Sequence, residues 1–164
     1  MKKQSLKKDL SKKNLTSNFK FRAARHSDVL QLVSLENLSF NYDQLSKKQF
    51  TKFIGDGKNL IWLLEIDKKI AGYALVFFRK NSKKTRMYSL CIHPDLKGLG
   101  LGKELMMDVF RQLRKKKMES MKLEVKVSNV VGINLYESLG FLLKERIKEF
   151  YSDGEDAFVY RLTL

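Results

Sequence analysis

The chain has 164 residues, 43% of them hydrophobic and 11% aromatic, which suits a single domain with a real core and excludes a wholly disordered chain. Thirty-three Lys and Arg against 18 Asp and Glu give a formal charge of +15, so anionic partners are favoured: nucleic acid, an acidic membrane face or a phosphate-rich cofactor. The lone Cys91 excludes an internal disulfide, and the two histidines, His26 and His93, have no metal-ligand spacing with it, so no metal is expected. The longest apolar runs, residues 60–64 and 73–78, fall far short of the ~20 residues of a membrane span. No apolar run of signal-peptide length follows the basic N-terminus. A soluble, cytoplasmic protein is expected.

Residues 1–18 stand apart. Six lysines in three pairs, with Asp9 as the one acid, give this segment +5 and leave +10 for residues 19–164. It reads either as a solvated, mobile arm or as an electrostatic tether to RNA, ribosome or acidic lipid. Residues 19–25 then predict a strand. Ser27 is placed to cap a helix reaching Ser39, with Val29, Leu32, Val33 and Leu35 as its apolar positions. Ser46 predicts a second cap, for a short helix that stops at Gly55-Asp56-Gly57. Residues 60–66 and 70–78 predict a hairpin around Asp67-Lys68-Lys69, and residues 86–92 a strand that ends at His93-Pro94, because proline disfavours a helical residue before it.

A glycine turn follows and opens a helix over residues 102–117, whose Leu105, Met106, Val109, Phe110 and Leu113 form one stripe. Met121, Leu123, Val125 and Val127 alternate with Lys122, Glu124, Lys126 and Ser128, the period of a strand. Residues 129–139 fit a helix ended by Gly140, and residues 141–150 and 157–162 fit a final pair of strands. No internal repeat is present. The sum predicts an α/β (α+β) domain on a mixed, mostly antiparallel sheet flanked by about four helices, with residues 1–18 as an arm and 19–164 as the domain.

The turn itself carries chemistry. Lys97-Gly98-Leu99-Gly100-Leu101-Gly102-Lys103 joins a strand to a helix, where unpaired N–H groups meet the positive end of the helix dipole and absent side chains let a phosphate approach. That predicts a pyrophosphate cradle. It is not a P-loop, since Glu104 stands where Ser or Thr would meet magnesium, and it lacks the dinucleotide GxGxxG spacing.

A second segment, Asn129 to Phe141 with Leu135-Tyr136-Glu137-Ser138-Leu139-Gly140-Phe141 at its end, joins the first in a recognisable pair. Together they resemble the signature segments of the GNAT superfamily of acetyl-CoA-dependent N-acetyltransferases: [RQ]-x-x-G-x-[GA] over 97–102, with lysine first, and N-x-x-A-x-x-L-Y-x-x-x-G-F over 129–141, with Gly132 for alanine. The resemblance covers residues 19–164. The run Leu123-Glu124-Val125 through Ser128-Asn129 and the loop Tyr151-Ser152-Asp153-Gly154-Glu155-Asp156-Ala157 look like those of the ribosomal-protein-alanine (RimI-type) and archaeal N-terminal acetyltransferases.

What the resemblance implies is direct attack of an amine on the thioester of acetyl-CoA, the only cofactor expected. Leu90, Cys91 and Ile92 would hold the pantetheine through backbone hydrogen bonds. Lys97, Gly98, Leu99, Gly100, Leu101, Gly102 and Lys103 would take the pyrophosphate, and Asn129 would touch the cofactor arm. Glu124 matches the general base and Tyr136 the general acid for the leaving thiol. Phe40, Tyr42 and Tyr151 are candidates for the amine pocket. An α-amine, with a pKa of about 7.7–8.0 against about 10.4 for lysine, needs only modest help to deprotonate near neutrality.

The residues alone allow plainer readings. Glu124 is also one polar residue of an alternating strand, Cys91 a small buried hydrophobe, and His93 a turn residue. The expected acceptor is a protein N-terminus, with a ribosomal protein as candidate. A small-molecule amine or lysine acceptor is the alternative, and the acids Glu149, Asp153, Glu155 and Asp156 are where a polycation would bind. A basic nucleic-acid or ribosome-binding module without catalysis is the alternative of another class. Either a monomer or a homodimer fits.

Overall fold

The computed structural model describes residues 19–41 and 43–164; the basic arm and Tyr42 lie outside the described residues. Seven strands form among these: β1 (Phe19–Ala23), β2 (Asn59–Ile66), β3 (Lys69–Phe78), β4 (Lys84–Ile92), β5 (Ser120–Lys126), β6 (Leu142–Ile147) and β7 (Ala157–Thr163). The α-helices are α1 (Val29–Ser39), α2 (Lys47–Gly55), α3 (Leu101–Lys115) and α4 (Val130–Ser138). The strands make one sheet in the order β1-β2-β3-β4-β5-β7-β6, and every neighbouring pair is antiparallel except β4 and β5.

Helices cover both faces of this sheet, which is why β2 and β3 read as near-continuous apolar runs rather than alternating ones. One core, of Val29, Leu32, Leu35, Phe50, Ile61, Leu63, Tyr73 and Leu75, lies under α1 and α2. The other, of Leu60, Leu64, Leu105, Met106, Val109, Leu123 and Tyr136, lies under α3 and α4. Successive residues of β2 alternate between the two, as the pleat requires.

Two sequence expectations are corrected locally. Ser27 does not cap α1: a 3₁₀ turn, His26–Asp28, comes first, and the Asp28 carboxylate accepts the Arg25 N–H at 2.7 Å while Arg22 grips both its oxygens. That grip ends β1 at Ala23, short of Arg25. The strand after Phe141 stops at Ile147, because Glu149 takes a left-handed φ of 49° and donates its N–H to Asp156 at 2.9 Å. The cap predicted at Ser46 is present: its hydroxyl accepts the Gln49 N–H, and the Gln49 side chain accepts the Ser46 N–H at 2.9 Å.

Candidate active site

The one parallel pairing is short. β4 and β5 stay in register only from Lys84 with Ser120 to Met87 with Leu123, then part. The cause is visible in the next register: Leu75 pairs Ser89 and Val76 pairs Met87, leaving Tyr88 as the extra residue of a bulge. Bulges bend a strand and interrupt its pairing. Beyond the bulge the β5-facing edge of β4 is open. His93 donates its N–H to Ala71 O on the β3 side, so alternation turns the N–H groups of Leu90 and Ile92 the other way, into the gap.

Two clefts open at this split and meet at Phe40, Leu90, Asn129 and Tyr136. The first, about 520 Å³, is lined by Leu90, Cys91, Ile92, Lys97, Gly98, Gly100, Leu101, Gly102, Lys103 and Asn129. Leu99 is not in this lining and packs against the core under α3. Gly98 and Gly100 have φ of 82° and 80°, a region open to glycine at little cost, and Gly100 is the N-cap of α3. Among the described residues, no protein acceptor takes the N–H groups of residues 98–102. Five free donors at a helix start, between Lys97 and Lys103, fit a pyrophosphate. Asn129 caps α4 by accepting the Gly132 N–H at 2.9 Å, and an added Cβ at Gly132 would stand 2.8 Å from the Asn129 amide nitrogen. Glycine at that position therefore leaves room for the cap.

The second cleft, about 670 Å³, lies on the other side of Tyr136 and is lined by Glu36, Phe40, Asp43, Arg86, Tyr88, Glu124, Lys126 and Tyr151, among others. Glu124 is the first residue of β5 past the pairing with β4. Its side chain is 6% exposed, with Oε2 2.8 Å from Arg86 Nε and Oε1 2.9 Å from Lys122 Nζ. Tyr136 is buried against Phe141, and burial, with the nearby Tyr151, pushes its hydroxyl pKa well up. A hydroxyl so placed stays protonated through the neutral range and is a donor. Burial likewise raises the Cys91 thiol to about 11, which leaves it the inert hydrophobe of the plainer reading rather than a nucleophile. His93 is a turn residue whose Nδ1 accepts the Asp95 N–H at 3.2 Å.

Some residues that shape the second cleft were not foreseen. Lys126, 8% exposed, ion-pairs with Asp153 and with Glu155 at 3.3 Å, and its ammonium lies 5.1 Å from the centre of the Tyr151 ring. Glu155 also accepts the Ser128 N–H at 2.9 Å, and Asp156 pairs with Arg146 at 2.7 Å. The acids Asp153, Glu155 and Asp156, set aside as a place for a polycation, are thus engaged internally; hydrogen bonds and neighbouring cations hold all three below the usual carboxylate range. On the opposite wall Glu36 accepts the Tyr73 hydroxyl and the Leu45 N–H, and Tyr73 in turn lies 3.0 Å from Ser89. Burial raises the Glu36 carboxyl above its usual range.

A parallel pair that splays beside a glycine turn, with a buried tyrosine at the fork, defines the class, and comparison with known proteins agrees. The chain belongs to the acetyltransferase (GNAT) family, whose model matches residues 28–141. Among curated relatives, an N-alpha-acetyltransferase of Sulfurisphaera tokodaii is 27% identical over 154 residues, 86% of this chain and 90% of that protein. The [ribosomal protein bS18]-alanine N-acetyltransferase of Escherichia coli is 30% identical over 122 residues, 73% of this chain and 80% of that one. A crystal structure of the Escherichia coli ribosomal-protein-S18-alanine N-acetyltransferase superposes with a TM-score of 0.79 at 26% identity, covering 88% of this chain and 93% of that one. No helix among the described residues is long and apolar enough to cross a membrane.

Proposed function

We propose that this chain transfers the acetyl group of acetyl-CoA to the N-terminal α-amine of a protein, and that residues 19–164 form the catalytic unit, with residues 1–18 as a basic arm. The observation that carries this reading is the fork itself. Free backbone donors face one cleft, a second cleft opens opposite, and Tyr136 stands where they meet. Acetyl-CoA would supply an activated thioester. The free N–H groups of residues 98–102, with Lys97 and Lys103, would hold its pyrophosphate.

Leu90 and Ile92 would bind the pantetheine along the open edge of β4, and one of their N–H groups would stabilise the negative charge that grows on the thioester oxygen. The acceptor amine enters from the second cleft, walled by Phe40 and Tyr151. Holding both substrates at the fork supplies proximity. Glu124, with its oxygens already engaged by Arg86 and Lys122, would take the amine proton through water. Tyr136 would protonate the departing thiolate.

The two named relatives that act on protein N-termini support the choice of acceptor. The internal pairing of the 153–156 acids argues against a polycationic amine. The experiment is release of free thiol from acetyl-CoA with three acceptors: a peptide with a free N-terminus, the same peptide blocked at its N-terminus but carrying a lysine, and a polyamine. The reading expects turnover with the first alone. Turnover confined to the second or third overturns the acceptor assignment.

A further inference from the structure

The formal charge of +10 on residues 19–164 is not spread evenly over the domain. The β3–β4 hairpin presents Arg79, Lys80, Lys83 and Lys84, and the end of α3 with the turn after it presents Arg111, Arg114, Lys115, Lys116 and Lys117; all nine side chains are exposed. The fold joins the two groups. Glu119 N–H donates to Lys83 O at 2.8 Å, Lys84 pairs in register with Ser120, and the Lys116 ammonium lies 5.8 Å from the centre of the Phe78 ring.

The acids at this end are few. Glu119 pairs with Lys83, and Asp108 is buried and pairs with Arg111. A helix C-terminus presents about half a negative charge, so cations of the last turn in part complement the dipole. Five on the helix end and four more on the hairpin far exceed that need.

We infer that this surface docks the phosphate backbone of a polynucleotide. It is distinct from the active-site clefts: α3 starts at the glycine turn and its 15 residues carry the basic end about 22 Å away. Among the described residues, no exposed large apolar side chain lies at the hairpin tip, residues 79–84, or on residues 111–117, so the surface lacks the wedge that an amphipathic membrane contact would insert. A charged, polar surface with long flexible side chains suits a sequence-independent polyanion.

The test is binding of the full chain to a labelled RNA duplex and to a DNA duplex of the same sequence, by fluorescence anisotropy across a series of salt concentrations. Two triple variants probe the surface: Arg114→Gln with Lys116→Gln and Lys117→Gln, and Lys80→Gln with Lys83→Gln and Lys84→Gln. A third, Lys47→Gln with Lys48→Gln and Lys52→Gln on α2, removes the same charge elsewhere.

Each surface variant is expected to lower affinity at least about tenfold and to flatten the log–log salt slope by about 2.7, three contacts at about 0.9 each. Peptide acetylation without polynucleotide should be unchanged in both, and the α2 variant should bind like wild type. Equal losses in all three variants would reduce the effect to net charge and overturn the assignment. So would wild-type binding by the surface variants, which would place any binding on the arm or the glycine turn, or binding of anionic vesicles but neither duplex.

Discussion

Tyr136→Phe removes a single oxygen. The ring is 8% exposed and packs against Phe141 with centroids 5.8 Å apart, and phenylalanine keeps that packing. Burial and Tyr151 set the state of the hydroxyl, and among the described residues no hydrogen-bond partner is orphaned by its loss. Stability should therefore change by less than about 1 kcal/mol. Loss of a positioned general acid slows chemistry by roughly 10²–10⁴-fold, or about 3–5 kcal/mol of barrier. The assay is single-turnover thiol release at saturating acetyl-CoA and peptide, with acetyl-CoA affinity by calorimetry and thermal unfolding run in parallel. Turnover should fall by that factor while affinity and unfolding stay put. Because burial holds the hydroxyl protonated, the wild-type pH–rate profile should show no alkaline fall from this group through the neutral range. Near-wild-type turnover in the variant, or a loss of rate matched by a loss of fold, refutes the acid role.

Gly100→Ala forces a side chain into a φ of 80° at the N-cap of α3, a strain of roughly 1–2 kcal/mol; it should lower unfolding temperature and weaken acetyl-CoA binding in a calorimetric titration. Lys126→Met breaks the ties to Asp153 and Glu155 that hold the Tyr151 loop, so KM for peptide should rise severalfold or more while acetyl-CoA affinity holds. Arg22 hydrogen-bonds Asp28 and lowers its pKa in the fold below the unfolded value. That stabilisation is therefore present above the unfolded pKa of about 3.9 and is lost as pH falls through the folded value. Denaturant unfolding between neutral and acid pH should show a shallower acid loss for Asp28→Asn than for wild type.

Most of the fold was legible because it rests on local signals. The Ser46 cap needed only Gln49 three residues on, and the α3 stripe only its own spacing. The glycine turn was legible for the same reason, since the left-handed backbone at Gly98 and Gly100 is a property of those positions. Long-range partners were not. Lys126 reads as an outward-facing member of an alternating strand, yet it is buried because Asp153, Glu155 and the Tyr151 ring close over it from a loop 27 residues away. Arg86 meets Glu124 across 38 residues, and Tyr73 meets Glu36 across 37, so neither pairing has a local signature. The Tyr88 bulge that opens the fork was equally silent, being a mismatch between two strands rather than a property of one. Ser27 misled because a serine before an apolar run is a good cap in isolation, whereas Asp28 had Arg22 within reach.

The most direct test of the central claim is to locate the acetyl group on the product. A peptide with both a free N-terminus and an internal lysine is incubated with the chain and acetyl-CoA, and fragmentation mass spectrometry assigns the modified nitrogen. The account predicts acetyl on the α-amine alone, formed in step with free thiol and largely lost in Tyr136→Phe. Acetyl on the lysine, or thiol release with no modified peptide, would contradict it.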